Sequence, residues 1–172
     1  MKILMKHIPI FLLFSFVLIS CNQNQTVDRG KEREFFKIEY GVTYYKGSPF
    51  TGTTVEYYGN GQLKHKENFK EGKEDGFNEY FYEDGQLNGK GSCKEGKKEG
   101  IWELYYENGQ LKSKGSYKEG KQDGVWELYY DNGHLKTKGS YRKGKEDSTW
   151  ESYDENGQLK FRFSIKDGEY TY

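Results

Sequence analysis

Apolar and polar residues alternate along most of this chain in short runs, each closed by a turn signal. Leu111 to Lys118 is one such run and Val125 to Tyr130 another. Alternation with a period of two is the mark of a half-solvated β-strand. The runs recur. Gly61, Gly85, Gly109, Gly133 and Gly157 are spaced by 24 residues, and so are Leu63, Leu87, Leu111, Leu135 and Leu159. A second glycine series, Gly72, Gly96, Gly120, Gly144 and Gly168, has the same period. Self-similarity at a fixed period of this size is the signature of a repeat array. The unit from Gly109 to Asn132 therefore reads as a hairpin. Its strands are Gln110 to Lys118 and Val125 to Tyr130, with a turn at Glu119 to Gly124 between them. Asn132-Gly133 leads to the next unit, and Asn60-Gly61, Asp84-Gly85, Asn108-Gly109 and Asn156-Gly157 repeat it. Asn-Gly between alternating strands predicts a type I′ turn, which needs positive φ at both central residues.

That turn fixes a register. Around Asn108-Gly109, Tyr106 faces Leu111, Leu104 faces Ser113 and Trp102 faces Gly115, while Glu103 lies opposite Lys114 on the other side. A step of 24 places Trp126 opposite Gly139, Glu127 opposite Lys138, Glu79 opposite Lys90 and Glu151 opposite Arg162. An aromatic ring beside a cross-strand glycine shields exposed backbone, and opposite charges across a ladder stabilise by roughly 0.2–1 kcal/mol each. One face carries Trp102, Leu104, Tyr106, Leu111 and Tyr117; the other carries Glu103, Tyr105, Lys112 and Lys114. Neither is apolar enough for a sandwich core. The expected fold is all-β: an open, single-layer antiparallel β-meander of about a dozen strands, built from 24-residue hairpin repeats. Phe35, Phe36, Ile38 and Tyr40 are expected to cap its N-terminal end, and Phe161, Phe163 and Ile165 its C-terminal end.

The pattern departs from alternation only at the start. Lys2 and Lys6 precede an apolar run from Ile8 to Ile19, too short to span a bilayer and suited to a signal peptide. Leu18-Ile19-Ser20-Cys21 then resembles a bacterial lipobox, which implies lipidation at Cys21 as the first mature residue. Asn22 after it resembles outer-membrane sorting signals. The predicted organisation is a signal peptide over 1–20, a flexible tether over 21–34 and the array over 35–172. The expected location is the cell envelope, held by lipid.

The unit Tyr105-Tyr106-Glu107-Asn108-Gly109-Gln110-Leu111-Lys112, with Asp123-Gly124-Val125-Trp126-Glu127, resembles MORN repeats. It is most like the bacterial variant in proteins named as antitoxin components. The resemblance covers about 41–172. It implies an open β-meander that binds proteins or lipids or acts as a spacer. An antitoxin-like role would require a toxin located in the envelope.

Composition narrows the function. There is no alanine, while Tyr (16), Phe (11) and Gly (22) abound, which favours strands over helices and over disorder. Basic and acidic residues number 27 each. No acid precedes Cys21, so the exported part would carry 25 bases, 27 acids and a net charge of −2. That balance gives no reason to expect nucleic acid. His7, His65 and His134 form no catalytic set, and the last two read as exposed repeat variations. Cys93 stands where other units have Tyr117 and Tyr141 and reads as a core substitute. The glutamates recur once per unit opposite a base, as structural residues do. No metal-ligand spacing and no cofactor motif stands out, so the chain reads as a non-enzyme. What remains is the aromatic series Trp102, Tyr106, Trp126, Tyr130 and Trp150, the candidate binding face. A protein partner is expected, with a glycan as the alternative.

Overall fold

The computed structural model describes residues 25–166 and 169–171. The expected signal segment, Cys21 and the first part of the expected tether lie outside the described residues.

The chain is an open antiparallel meander, as the repeat pattern requires. Its N-terminal strands are β1 (Thr26–Asp28), β2 (Phe36–Glu39), β3 (Val42–Tyr45), β4 (Ser48–Pro49) and β5 (Gly52–Tyr57). Then come β6 (Leu63–Lys70), β7 (Lys73–Glu74), β8 (Gly76–Phe81), β9 (Leu87–Lys94), β10 (Lys97–Tyr105) and β11 (Leu111–Lys118). The last are β12 (Lys121–Tyr129), β13 (Leu135–Arg142), β14 (Lys145–Glu146), β15 (Ser148–Tyr153), β16 (Leu159–Lys166) and β17 (Glu169–Thr171). Fourteen of them form one sheet whose continuous path runs β1-β5-β6-β8-β9-β10-β11-β12-β13-β15-β16-β17.

The central register is the one expected: Trp102 with Gly115, Glu103 with Lys114, Leu104 with Ser113 and Trp126 with Gly139. The turns that set it are of a different kind. Among the Asn-Gly turn residues only the glycine has positive φ, as at Gly109 (+81°). Tyr106 N donates to Gln110 O at 2.8 Å, so three residues, Glu107-Asn108-Gly109, form the loop instead of two. Asn108 prefers this form because its Oδ1 accepts from Gln110 N at 3.0 Å, the Asx contact that closes such a loop. The loop is one residue longer than expected, and Tyr105 pairs with Leu111. The register then skips Lys112 between Leu104 and Tyr105, which restores the expected pairing further in. Two one-residue departures thus cancel.

The primed turn lies at the other edge. Glu119 (φ +52°) and Gly120 (φ +81°) turn the chain in two residues, and β12 resumes at once with Lys121. A non-glycine residue in that conformation costs roughly 1–2 kcal/mol. Hydrogen bonds to the preceding unit oppose the cost: Glu119 N donates to Glu99 Oε2 at 2.9 Å, and Gly120 N to Lys98 O at 3.0 Å.

The N-terminal end differs most from expectation. Thr26–Asp28 lies inside the expected tether, yet it pairs in parallel with Thr53–Val55 and buries Val27. Strands β2, β3 and β4 form a separate small sheet. Val27, Phe50 and Phe69 form a small core, against which Phe36 and Tyr45 pack. The array is therefore capped by a second layer here. Of the expected cap residues, Phe36 does this work, whereas Ile38 and Tyr40 stand exposed. At the C-terminal end Ile165 is buried, Phe161 is exposed, and β17 adds a last strand to β16.

Repeats are joined by ring and glycine. A Cβ on Gly115 would stand 2.2 Å from the Trp126 ring, and one on Gly91 would stand 2.2 Å from Trp102. Each ring leans over the glycine of the strand before it. Gly115→Ala is expected to destabilise the array by about 1–3 kcal/mol through forced displacement of the ring. Urea unfolding followed by circular dichroism checks this.

Candidate functional site

The sheet offers two faces and two turn edges. The tryptophans lie along the middle of one face. Trp102 and Trp150 are buried, at 6% and 3% exposure, and Trp126 is half-buried. Ring centroids run Trp102–Tyr117 at 6.4 Å, Tyr117–Trp126 at 5.2 Å, Trp126–Tyr141 at 5.9 Å and Tyr141–Trp150 at 5.3 Å, all edge to face. Such pairs add about 0.5–1.5 kcal/mol beyond area burial. Trp102 Nε1 donates to Ser92 O at 2.9 Å and Trp126 Nε1 to Ser116 O at 3.2 Å. The Lys98 ammonium covers the outside of Trp102, 4.1 Å from the ring centroid.

Tyr106 and Tyr130 lie elsewhere, on the Asn-Gly edge. Tyr106 Oη donates to Tyr129 O at 2.8 Å and Tyr130 Oη to Tyr153 O at 3.0 Å. Asn108 Nδ2 donates to Asp131 O at 2.6 Å. These contacts staple each unit to the next. The five aromatic residues expected to form one binding face are thus divided between a mostly buried ladder and an edge staple. The reason is that a ring large enough to grip a partner is also the largest group available to cover the sheet.

The first units depart from the ladder. Asn78 and Thr54 hold the places of Trp102 and are fully buried. Around them lies a polar network. Asn78 Nδ2 donates to Glu74 Oε2 at 3.0 Å, Cys93 Sγ to the same oxygen at 3.3 Å, and Tyr80 Oη to Glu67 Oε1 at 3.3 Å. Arg29 pairs with Glu67 at 3.7 Å. Burial, together with the hydrogen bond to Glu74, pushes the Cys93 thiol up to about 12, so the thiolate is not populated near neutrality. Cys93 is a core residue, as expected. His65 was expected to be an exposed variation; instead it is largely buried, with Nε2 3.2 Å from Glu56 Oε2. His134 is exposed beside its turn. Among the described residues no group of His, Cys, Asp or Glu is arranged to hold a metal.

The opposite face is built differently. Glu103 takes ion pairs from Lys90 at 3.2 Å and Lys114 at 3.0 Å, and Tyr105 Oη donates to it at 2.8 Å. Glu127–Lys138 (3.0 Å) and Glu151–Arg162 (2.8 Å) continue the row. Beside it runs a row that sequence reasoning missed: Phe77, Ile101 and Val125, 24 residues apart and 46%, 58% and 55% exposed. Between Ile101 and Val125 is a shallow depression of about 240 Å³, lined also by Lys114, Gly115, Ser116 and Glu127. The signal was present in Gly76-Phe77, Gly100-Ile101 and Gly124-Val125, an apolar residue on the non-tryptophan parity in three successive units.

The repeated hairpin and its motif residues define a class. The chain matches the family described as MORN repeat variant over residues 50–71, 98–119, 122–143 and 146–171, just over half its length, and belongs to it. The unit from Gly72 to Lys97, where Asn78 replaces tryptophan, lies between matches. Repeats of this kind are in general interaction modules for proteins and membranes. No curated protein of matching sequence was found. One solved structure that resembles the chain is Staphylococcus aureus TarM with fondaparinux, alpha-GlcNAc-glycerol and UDP. It shares 12% identity at a TM-score of 0.34, and the match covers 69% of this chain and 22% of that one.

Two outcomes follow for the ladder and the ion pairs. Trp102→Ala is expected to cost about 3–5 kcal/mol of stability, as for a buried large-to-small change, measured by urea unfolding. Glu103 is held down from 4.5 to about 2, first by the Tyr105 hydroxyl and then by Lys114 and Lys90. A depressed carboxylate stabilises above its unfolded value, and that share is lost as pH falls from about 4.5 through about 2. Acid titration of Glu103→Gln, followed by circular dichroism, is expected to show a shallower loss of stability in that window than the parent.

Proposed function

We propose that the protein is a non-enzymatic interaction module of the cell envelope, tethered by lipid on Cys21 and gripping a protein partner with its non-tryptophan face. The observation that carries the reading is the row of Phe77, Ile101 and Val125. These three apolar residues recur at one position in three successive units, and each stands about half exposed beside the Glu–Lys row. Exposed apolar patches rimmed by charge mark interaction sites in soluble proteins. Membership of an interaction-repeat family points the same way. The lipobox-like Leu18-Ile19-Ser20-Cys21 supports the envelope, with the outer membrane favoured in a cell with two membranes.

Affinity capture from detergent-solubilised envelope with the full chain tests this, with an Ile101→Asp, Val125→Asp double variant alongside. A protein retained by the parent and lost with the folded variant is the expected outcome. Retention of a toxin-like partner would assign the antitoxin role. Retention of envelope polysaccharide alone would replace the protein partner with a glycan. No specific retention would overturn the reading.

A further inference from the structure

The geometry points to one kind of occupant for the exposed face: we infer that it receives an extended, acidic peptide segment with an apolar residue or proline at every third position. This rests on the protein-binding reading above and specifies its partner.

The first argument is spacing. Each repeat adds two strands, so equivalent residues such as Ile101 and Val125 are separated by about 9.5 Å along the sheet. A polyproline II segment advances about 9.3 Å in three residues and returns the same face each turn. One peptide turn therefore fits one repeat, with little accumulated error over the three units that carry Phe77, Ile101 and Val125. A β-strand presents a face every two residues, about 6.7 Å, and loses register within one repeat. An α-helix repeats a face at about 10.5 Å over seven residues. It is also straight, whereas sheets twist by roughly 20–25° per strand, so the row turns away beneath it. An extended chain follows the twist. The depression between Ile101 and Val125, lined by Gly115, offers a seat for one small apolar group.

The second argument is charge. On the same face, between the apolar row and the turn tips, cations stand directly opposite one another: Lys94 with Lys97 and Lys118 with Lys121. The unit before has Lys70 with Lys73; in the unit after, Arg142 faces Lys145 but is already paired with Asp147. Like charges facing across a ladder destabilise it. The nearest strand acids are held toward the turns of the next unit. Asp75, Glu99 and Asp123 accept from the backbone N–H groups of Glu95, Glu119 and Lys143. A carboxylate from outside, beside each apolar anchor, would sit against one such pair per repeat.

The test is fluorescence anisotropy with the full chain in detergent. The probes are labelled peptides of about twelve residues, enough for four turns, with proline at every third position and glutamate beside it. The control has the same composition with proline at every second position. Ile101→Asp, Val125→Asp and Lys118→Glu variants, each verified as folded by circular dichroism, complete the set. The expected result is saturable binding of the three-residue-period peptide. The control and each variant should bind about tenfold more weakly or worse, as for loss of an interface anchor. Equal binding of the two peptides, or unaffected binding by the variants, overturns the inference. So does binding only of a β-linked chito-oligosaccharide run in parallel. If an envelope protein is captured by the full chain but the three-residue-period peptide neither binds nor competes, this inference falls and the protein-binding reading stands. If no protein is captured, both fall.

Discussion

A tryptophan ring set against the backbone of a cross-strand glycine is the contact on which this sheet depends. A single-layer sheet has no second layer to exclude water from its middle, so shielding must come from its own side chains. Glycine leaves the space and tryptophan fills it: the ring of Trp126 occupies the volume a side chain on Gly115 would need. Tyr117 and Tyr141 close the gaps edge to face, and the row becomes continuous from Tyr80 to Trp150. Each unit thus covers its predecessor, and stability passes from neighbour to neighbour as in other repeat proteins.

The edges repeat this logic in hydrogen bonds. On one side the turn N–H groups of Glu119 and Gly120 reach the preceding unit, and on the other Tyr106 and Asn108 reach the following one. The middle and both margins therefore tie the same pairs of units together. Where the ladder stops, something else must take over. At the N-terminal end Asn78 and Thr54 replace the ring with a buried polar network, and a small second sheet supplies the only two-layer core among the described residues.

This division of labour frees the other face. One side and both edges hold repeats together through rings and lateral hydrogen bonds, and the opposite side carries the Glu–Lys rows. It leaves Phe77, Ile101 and Val125 in the open. The proposed partner surface is therefore the side that the tryptophans do not occupy. The repeat gives that surface a fixed spacing, to which a ligand of matching period can be fitted.

The sequence by itself determined the period, the strands, the central register and the pairing of Glu103 with Lys114, because these follow from alternation and from residues repeated at 24. It also carried the family. The turn types were not legible. Asn-Gly and Glu-Gly both permit tight turns; the first took the longer loop closed by Asn108 Oδ1, which accepts from Gln110 N, and the second the two-residue turn whose N–H groups donate to Glu99 and Lys98 of the preceding unit. Nor was the side to which each ring leans legible, since Trp102 is flanked by Gly91 and Gly115 alike in the register. The parallel strand at Thr26–Asp28 depends on an edge left open at β5, which a local pattern does not reveal. The five aromatic residues singled out from the sequence are divided between the ladder and the turn edge for the same reason. Periodicity names the residues that recur, but only the assembled sheet decides which of them bury one another and which remain exposed.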